Sequence, residues 1–316
     1  MYLTTAQIPA LVKSGLDKTL ALAAAEESSL VPKLLGNVIS TKEDFWELQS
    51  YSELGLAQNM NEAGQAVYDT ITLAYNKQFE PIMRQIGFEM TLQAKYKDVY
   101  GVVARYSGML ARSMAKTKNF VAANVFNDGF SGSGVTGPDA KTLFATDHPL
   151  GTGGTDSNRG DDAGTDLALD GLNLETALER IMAQLDHRGL PMFGTGQMPR
   201  FKLIVNPARF GEAKRVVESA GLQGTADNDK NVMGGMISEI VVSPWIGWAD
   251  QVSGQTDAWF LRADDNSKHG LFMLSGIPLQ SEDDKVIDHL AHKFSVFEEY
   301  IAGHMDWRGT FGTNPS

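Results

Sequence analysis

Between Lys95 and about Asp128, apolar residues return at helical spacing. Tyr96, Tyr100, Val103, Leu110, Met114, Val121 and Val125 keep to one stripe. About 30 residues at 1.5 Å each make a rod of roughly 45 Å, long enough to span a whole domain. Gly101 and Gly108 lower the helix propensity a little without breaking the pattern. A helix of that length sets the dimension that the other elements must match.

Those elements are mixed. The first thirty-odd residues read as one or two helical pieces, with Thr4 or Thr5 as N-cap and Pro32 ending the second, so they form an arm. From Asp44 to Met90 the character is β: two strand-like runs flank a polar tip at Gly55 to Gly64. In the second run Val67, Asp69, Ile71, Leu73 and Tyr75 share one side, and only Asp69 spoils it. An isolated two-stranded ribbon is marginal in water, so this hairpin needs a partner surface. Gly129 to Gly171 is a long loop poor in periodic residues, and Asn173 to Asp186 is an amphipathic helix. Phe201 to Val205 reads as a buried strand, and Asn206-Pro207 opens a helix after it. Further strands are predicted at Ile237 to Val242, Ala258 to Arg262, Leu271 to Leu274 and His292 to Tyr300. The sum is an α+β protein without internal repeats.

Composition narrows the chemistry. The 316 residues carry a formal net charge of -12, which disfavours gripping duplex DNA across a broad face and leaves local basic patches possible. Zero cysteines exclude disulfides, thiolate zinc sites and cysteine nucleophiles. The apolar run Leu20 to Ala25 stops at Glu26 and Glu27, far short of a membrane span, and no basic segment leads into a secretory core. The sequence reads as a cytoplasmic product.

The chemical motifs do not hold up. GSGVTG at Gly132 to Gly137 has dinucleotide-loop spacing with Asp156 downstream, but it follows a helix instead of a strand and runs into Pro138. GTGGT at Gly151 to Thr155 lacks the lysine of a phosphate loop. Asp147-His148 suggests an acid–base pair, yet adjacent residues point apart and no nucleophile has a matching context. His289 and His292 lack a zincin helix, and Asp227, Asp229 and Asn231 start a calcium-like loop that Val232 and Ser238 fail to complete. No catalytic residue, metal or cofactor is expected.

The order of segments resembles the major capsid proteins of tailed phages, nearest the Mu-type head subunits. The resemblance rests on the long hairpin followed by the Tyr96 to Asp128 helix, and on LFATDHPLGTGGTDSN from Leu143 to Asn158. LDHRGLPM, PRFKLIVNPARFGEAKRVVES, EIVVSPWI and AWFLRAD follow in order. It implies the Hong Kong phage-type capsid fold. Residues 1–36 would be an N-terminal arm, 44–81 an extended hairpin (E-loop) and 95–170 a peripheral domain with a spine helix. Residues 171–279 would be an axial domain, and 280–316 a return to the peripheral domain.

The implied function is a major head protein that self-assembles into hexameric and pentameric capsomers and an icosahedral shell around the genome. The implied partners are a separate scaffold protein, portal and decoration proteins and weakly contacted DNA, with no membrane. The implied location is the virion, after assembly in the host cytoplasm. Lys77 and Asn314 have the chemistry of the covalent links that some members form, but read as ordinary surface residues. The rival readings are a soluble hydrolase using Asp147 and His148, or another virion part such as a decoration or tail-tube protein.

Overall fold

The computed structural model describes residues 29–59, 68–71, 73–91, 93, 102–131, 136–151, 153–161, 164–193, 198–219, 221, 231, 233–248, 257–286 and 291–315. The expected arm before residue 29, the end of the hairpin tip from residue 60 to 67, Tyr96, Tyr100, most of GSGVTG, Asp227, Asp229 and His289 lie outside them.

The long helix, α2 (Val102–Asn127), follows the short α1 (Val31–Leu34) and four strands: β1 (Asn37–Ser40), β2 (Trp46–Tyr51), β3 (Leu73–Phe79) and β4 (Ile82–Thr91). Its 26 residues make a rod of about 39 Å. Two-residue strands β5 (His148–Pro149) and β6 (Thr155–Asp156) come next, then α3 (Gly171–Ala183), β7 (Phe201–Val205), α4 (Phe210–Glu218) and β8 (Ile237–Val242). The chain closes with β9 (Trp259–Ala263), β10 (Leu271–Ser275), β11 (Gln280–Val286), β12 (Ala291–His304) and β13 (Thr310–Thr313).

Helix starts follow local chemistry. The Asp170 carboxylate accepts the Asn173 amide and caps α3. The Asn206 side chain accepts the Ala208 amide and opens a 3-10 turn at Pro207 that leads into α4.

One sheet is built on the 14-residue β12. β4 pairs antiparallel along one edge of it, while β11 and β10 lie end to end along the other, and β1 adds in parallel outside β10. Leu110, Ala111 and Met114 of α2 cover this sheet at Val296. A second sheet runs β13-β9-β7-β8. Its central strands are mostly apolar on both faces, as a doubly covered sheet requires, with Lys202 and Arg262 paired at one end. Ile204 and Phe260 face the α2 side with Phe126, Phe144 and Trp307. Leu203, Val205, Trp259 and Leu261 face α3 and α4.

Strand pairing crosses the boundary expected between 279 and 280. β10 belongs to the α2-covered sheet, and β13 completes the other one. The chain passes between the layers at the His304–Thr310 turn. There Gly309 has φ +68, and any Cβ would sit 1.9 Å from the Lys268 carbonyl.

The hairpin differs from its sequence reading. The second strand was expected from Val67 but begins at Leu73, paired with Tyr51 beside a register shift at Ser50. Asp69 is the reason: its carboxylate is committed to the Gly55 amide at 2.8 Å and to Arg188 at 2.9 Å, not to a strand face.

Candidate functional site

Two places concentrate the unusual side chains: the loop that carries His148, and the line along which the hairpin lies against the body.

In the loop, LFATDHPL folds back so that β5 and β6 pair around a turn, with Gly153 and Gly154 at φ +90 and +91. Gly153 and Gly154 therefore belong to a hairpin connection. His148 is fully buried and lies flat against Trp307, with ring centroids 4.4 Å apart. Its Nδ1 stands 2.7 Å from Asp139 Oδ2, and its Nε2 3.2 Å from Asn158 Oδ1. The Asn158 orientation is fixed, because its amide donates to the Leu143 carbonyl at 2.7 Å while its Oδ1 accepts the Ala145 amide. Both imidazole nitrogens thus lie within hydrogen-bond reach of oxygens, one of Asp139 and one of Asn158. Burial alone would raise the Asp139 carboxyl; the hydrogen bond and charge of His148 outweigh it and hold that carboxyl below its usual range.

Asp147 points the other way, exposed and paired with Lys141. The expected rival pair is thus divided between surface and core. His148 has partners on both nitrogens and no exposure. The arrangement is a structural staple joining the loop, the β12–β13 turn and the residues around Asp139. Asn231, third of the calcium-like residues, donates to the Val216 carbonyl at 2.7 Å. Among the described residues, no three His, Asp or Glu side chains group around a common metal position.

The hairpin meets the body in three tiers. At the root, Phe79 is buried with its ring 4.9 Å from Phe272, and Trp46 adds an edge contact at 5.8 Å. In the middle, the Tyr75 hydroxyl donates to the Pro149 carbonyl at 3.2 Å, and Lys77 turns inward to the Thr136 carbonyl. Lys77 is therefore half-buried, not the surface residue expected; burial lowers its pKa, with only partial relief from Asp139. Asn314 is held by its own amide on Asp166 at 3.1 Å.

At the outer tier one side chain spans both arms of the hairpin. The Arg188 guanidinium donates to the Glu53 carbonyl at 3.0 Å, the Thr70 carbonyl at 2.8 Å and Asp69. Arg188 sits on a turn closed by the Leu185–Pro191 bridge, where Asp186 accepts the Arg188 and Leu190 amides. Sequence reading missed this anchor. The available signal was Asp69 itself, a lone carboxylate on an apolar face, which calls for a cation. Beyond the clamp Leu54, Leu56 and Tyr68 stand exposed, Tyr68 at 90%, and Ile71 is exposed on its root side.

Among curated proteins none matches the chain in sequence. Solved shells match its fold. The mature capsid of bacteriophage PhiM1 superposes with a TM-score of 0.54 at 13% identity, covering 92% of this chain and 88% of that one. The capsid of cyanophage P-SCSP1u gives 0.56 at 12% identity, over 92% and 89%. A virus-like particle from Pyrococcus furiosus gives 0.53 at 13% identity, over 94% and 96%. At such identities these matches carry the α+β capsid fold alone, the Hong Kong phage type named by the resemblance. A family model described as phage capsid protein matches residues 78–312, from the hairpin root to β13. Most of the polypeptide thus falls under one sequence family, on a fold shared with tailed-phage shells: the chain belongs to the phage capsid protein family, as a major capsid protein.

Proposed function

We propose that copies of this subunit associate into hexameric and pentameric capsomers of a closed shell, with the hairpin as the element that reaches a neighbour. The observation that carries this reading is the set of exposed apolar side chains at the Arg188 clamp, Leu54, Leu56 and Tyr68 on its tip side and Ile71 on its root side. Exposed apolar side chains on a projecting ribbon gain little within their own chain and bury well only against another.

In this reading residues 44–81 are the E-loop, and the α2-covered sheet is the peripheral unit. The β13-β9-β7-β8 sheet with α3 and α4 is the axial unit, near capsomer centres. Residues 1–36 serve as the arm. A separate scaffold protein directs closure in the host cytoplasm, and portal and decoration proteins complete the virion. The subunit catalyses no reaction.

Sedimentation velocity tests the hairpin's part. Wild type with its scaffold should run as capsomers or shells, whereas a Leu56→Ser/Tyr68→Ser variant should remain a folded small species. Shells from that variant at wild-type yield would refute the bridging role.

A further inference from the structure

The geometry points to the outer edge of β4 as a surface through which two copies of this chain pair, strand against strand, about a twofold axis at Ile86. The pairing rests on the capsid reading for the shell around it and adds a contact separate from the hairpin.

The α2-covered sheet has two long edge strands, and they differ in kind. On one side β11 carries Glu282, Asp283, Asp284 and Lys285 in succession, a run of charge that guards an edge against pairing with another chain. On the other side β4 runs ten residues in unbroken register with β12, and among the described residues no strand lies beyond it. No proline, lysine or bulge interrupts Ile82–Thr91. Its two charges are turned back toward β12. The Arg84 guanidinium donates to the Tyr300 carbonyl at 2.6 Å and lies 4.4 Å from the centre of that ring. Glu89 faces its cross-strand neighbour Lys293 at 3.8 Å. The exposed remainder is apolar: Ile82, Met83 and Ile86. An unguarded strand of this length is a template for another strand.

The pattern along β4 selects a second β4. Val296 faces α2 and lies opposite Ile86, so Ile82, Arg84, Ile86, Phe88 and Met90 share the α2 side. Two sheets joined edge to edge about a perpendicular twofold bring together residues of the same face, so the positions in each pair differ by an even number. With the axis at Ile86, that residue meets its own copy, Arg84 meets Phe88 and Ile82 meets Met90. On the far side Met83 meets Glu89 and Gln85 meets Gly87. This register uses the strand from Ile82 to Met90 and opposes no like charges. An axis at Arg84 would oppose two guanidinium groups, and one at Glu89 two carboxylates. An axis at Gly87 would leave the centre without side chains. The contact closes on itself, so it joins subunits in pairs and does not run on into a filament.

The chain has no cysteine, so a single engineered one reports the axis directly. In full-length protein expressed with its scaffold and oxidised with diamide, Ile86→Cys should become mostly a disulfide-linked dimer on a non-reducing gel, because opposed strand residues lie within disulfide reach. Met83→Cys should stay monomeric on that gel, since its two copies would lie about 20 Å apart along the paired strands. Ile86→Lys sets two ammonium groups on the axis. It should keep wild-type circular dichroism and lose most closed shells in electron microscopy.

Absence of the Ile86→Cys dimer, or equal cross-linking through Met83→Cys, overturns the pairing, whether or not Ile86→Lys folds. Normal shells from Ile86→Lys overturn it as well. Loss of shells in Ile86→Lys without the Ile86→Cys dimer overturns it in favour of a different strand on this edge. Ile86→Cys shells that lack the cross-link sink the pairing and leave the capsid reading intact. A cross-linked dimer from a protein that never forms shells sinks the capsid reading instead.

Discussion

The imidazole of His148 lies parallel to the indole of Trp307, 4.4 Å apart at 11°. That stack closes a buried joint where the Leu143–Asn158 loop, the β12–β13 turn and Asp139 converge. His148→Ala removes the stack and leaves the buried Asp139 carboxyl without its hydrogen-bond partner, which should destabilise the protein by about 3 kcal/mol. Chemical denaturation measures it. A change below about 1 kcal/mol would show that the joint is not structural.

The buried histidines make the fold sensitive to acid. Burial, with partial relief from Asp139, pushes His304 down to about 3. Burial and Arg262 push His269 to about 3 as well. Unfolded histidine takes its proton near 6.5, so the unfolded state binds more protons below that pH. The stability from keeping these rings neutral is full above about pH 6.5 and is lost progressively as pH falls toward 3. Each ring contributes a slope of up to about 1.4 kcal/mol per pH unit. His304→Asn should reduce the loss between pH 6 and 4 in urea titrations. An unchanged slope would contradict the assignment.

The Arg188 clamp sets the hairpin without carrying the fold. Arg188→Ala should shift Tm by no more than about 2 °C, because the ion pair is partly exposed. It should speed hydrogen exchange at the Gly55 amide, whose acceptor Asp69 loses its partner. Unchanged Gly55 exchange would mean that the hairpin is held by its root alone.

Gly309 tests the crossing between layers. Its positive φ and the Lys268 carbonyl, 1.9 Å from a built Cβ, leave no room for a side chain. Gly309→Ala should cost more than about 3 kcal/mol and reduce soluble yield. A variant as stable as wild type would show that the turn relaxes easily.

Much of the fold was legible in the sequence. The α2 stripe, FKLIV and the later strands are periodic or uniformly apolar, and Asn206-Pro207 carries its own start signal. The hairpin's second strand was misplaced because period-2 alternation cannot show that Asp69 is held by a cation 119 residues away. Lys77 was read as a surface residue because a lysine gives no local sign of the Thr136 carbonyl that draws it inward. The role of His148 was only half visible. Asp-His-Pro marks a turn, but Trp307 and Asn158 meet the ring only through tertiary packing.

Negative-stain electron microscopy of the full-length protein, expressed with its scaffold, tests the central claim most directly. Closed, uniform shells or rings of capsomers are the predicted result. A strictly monomeric protein under those conditions would contradict it.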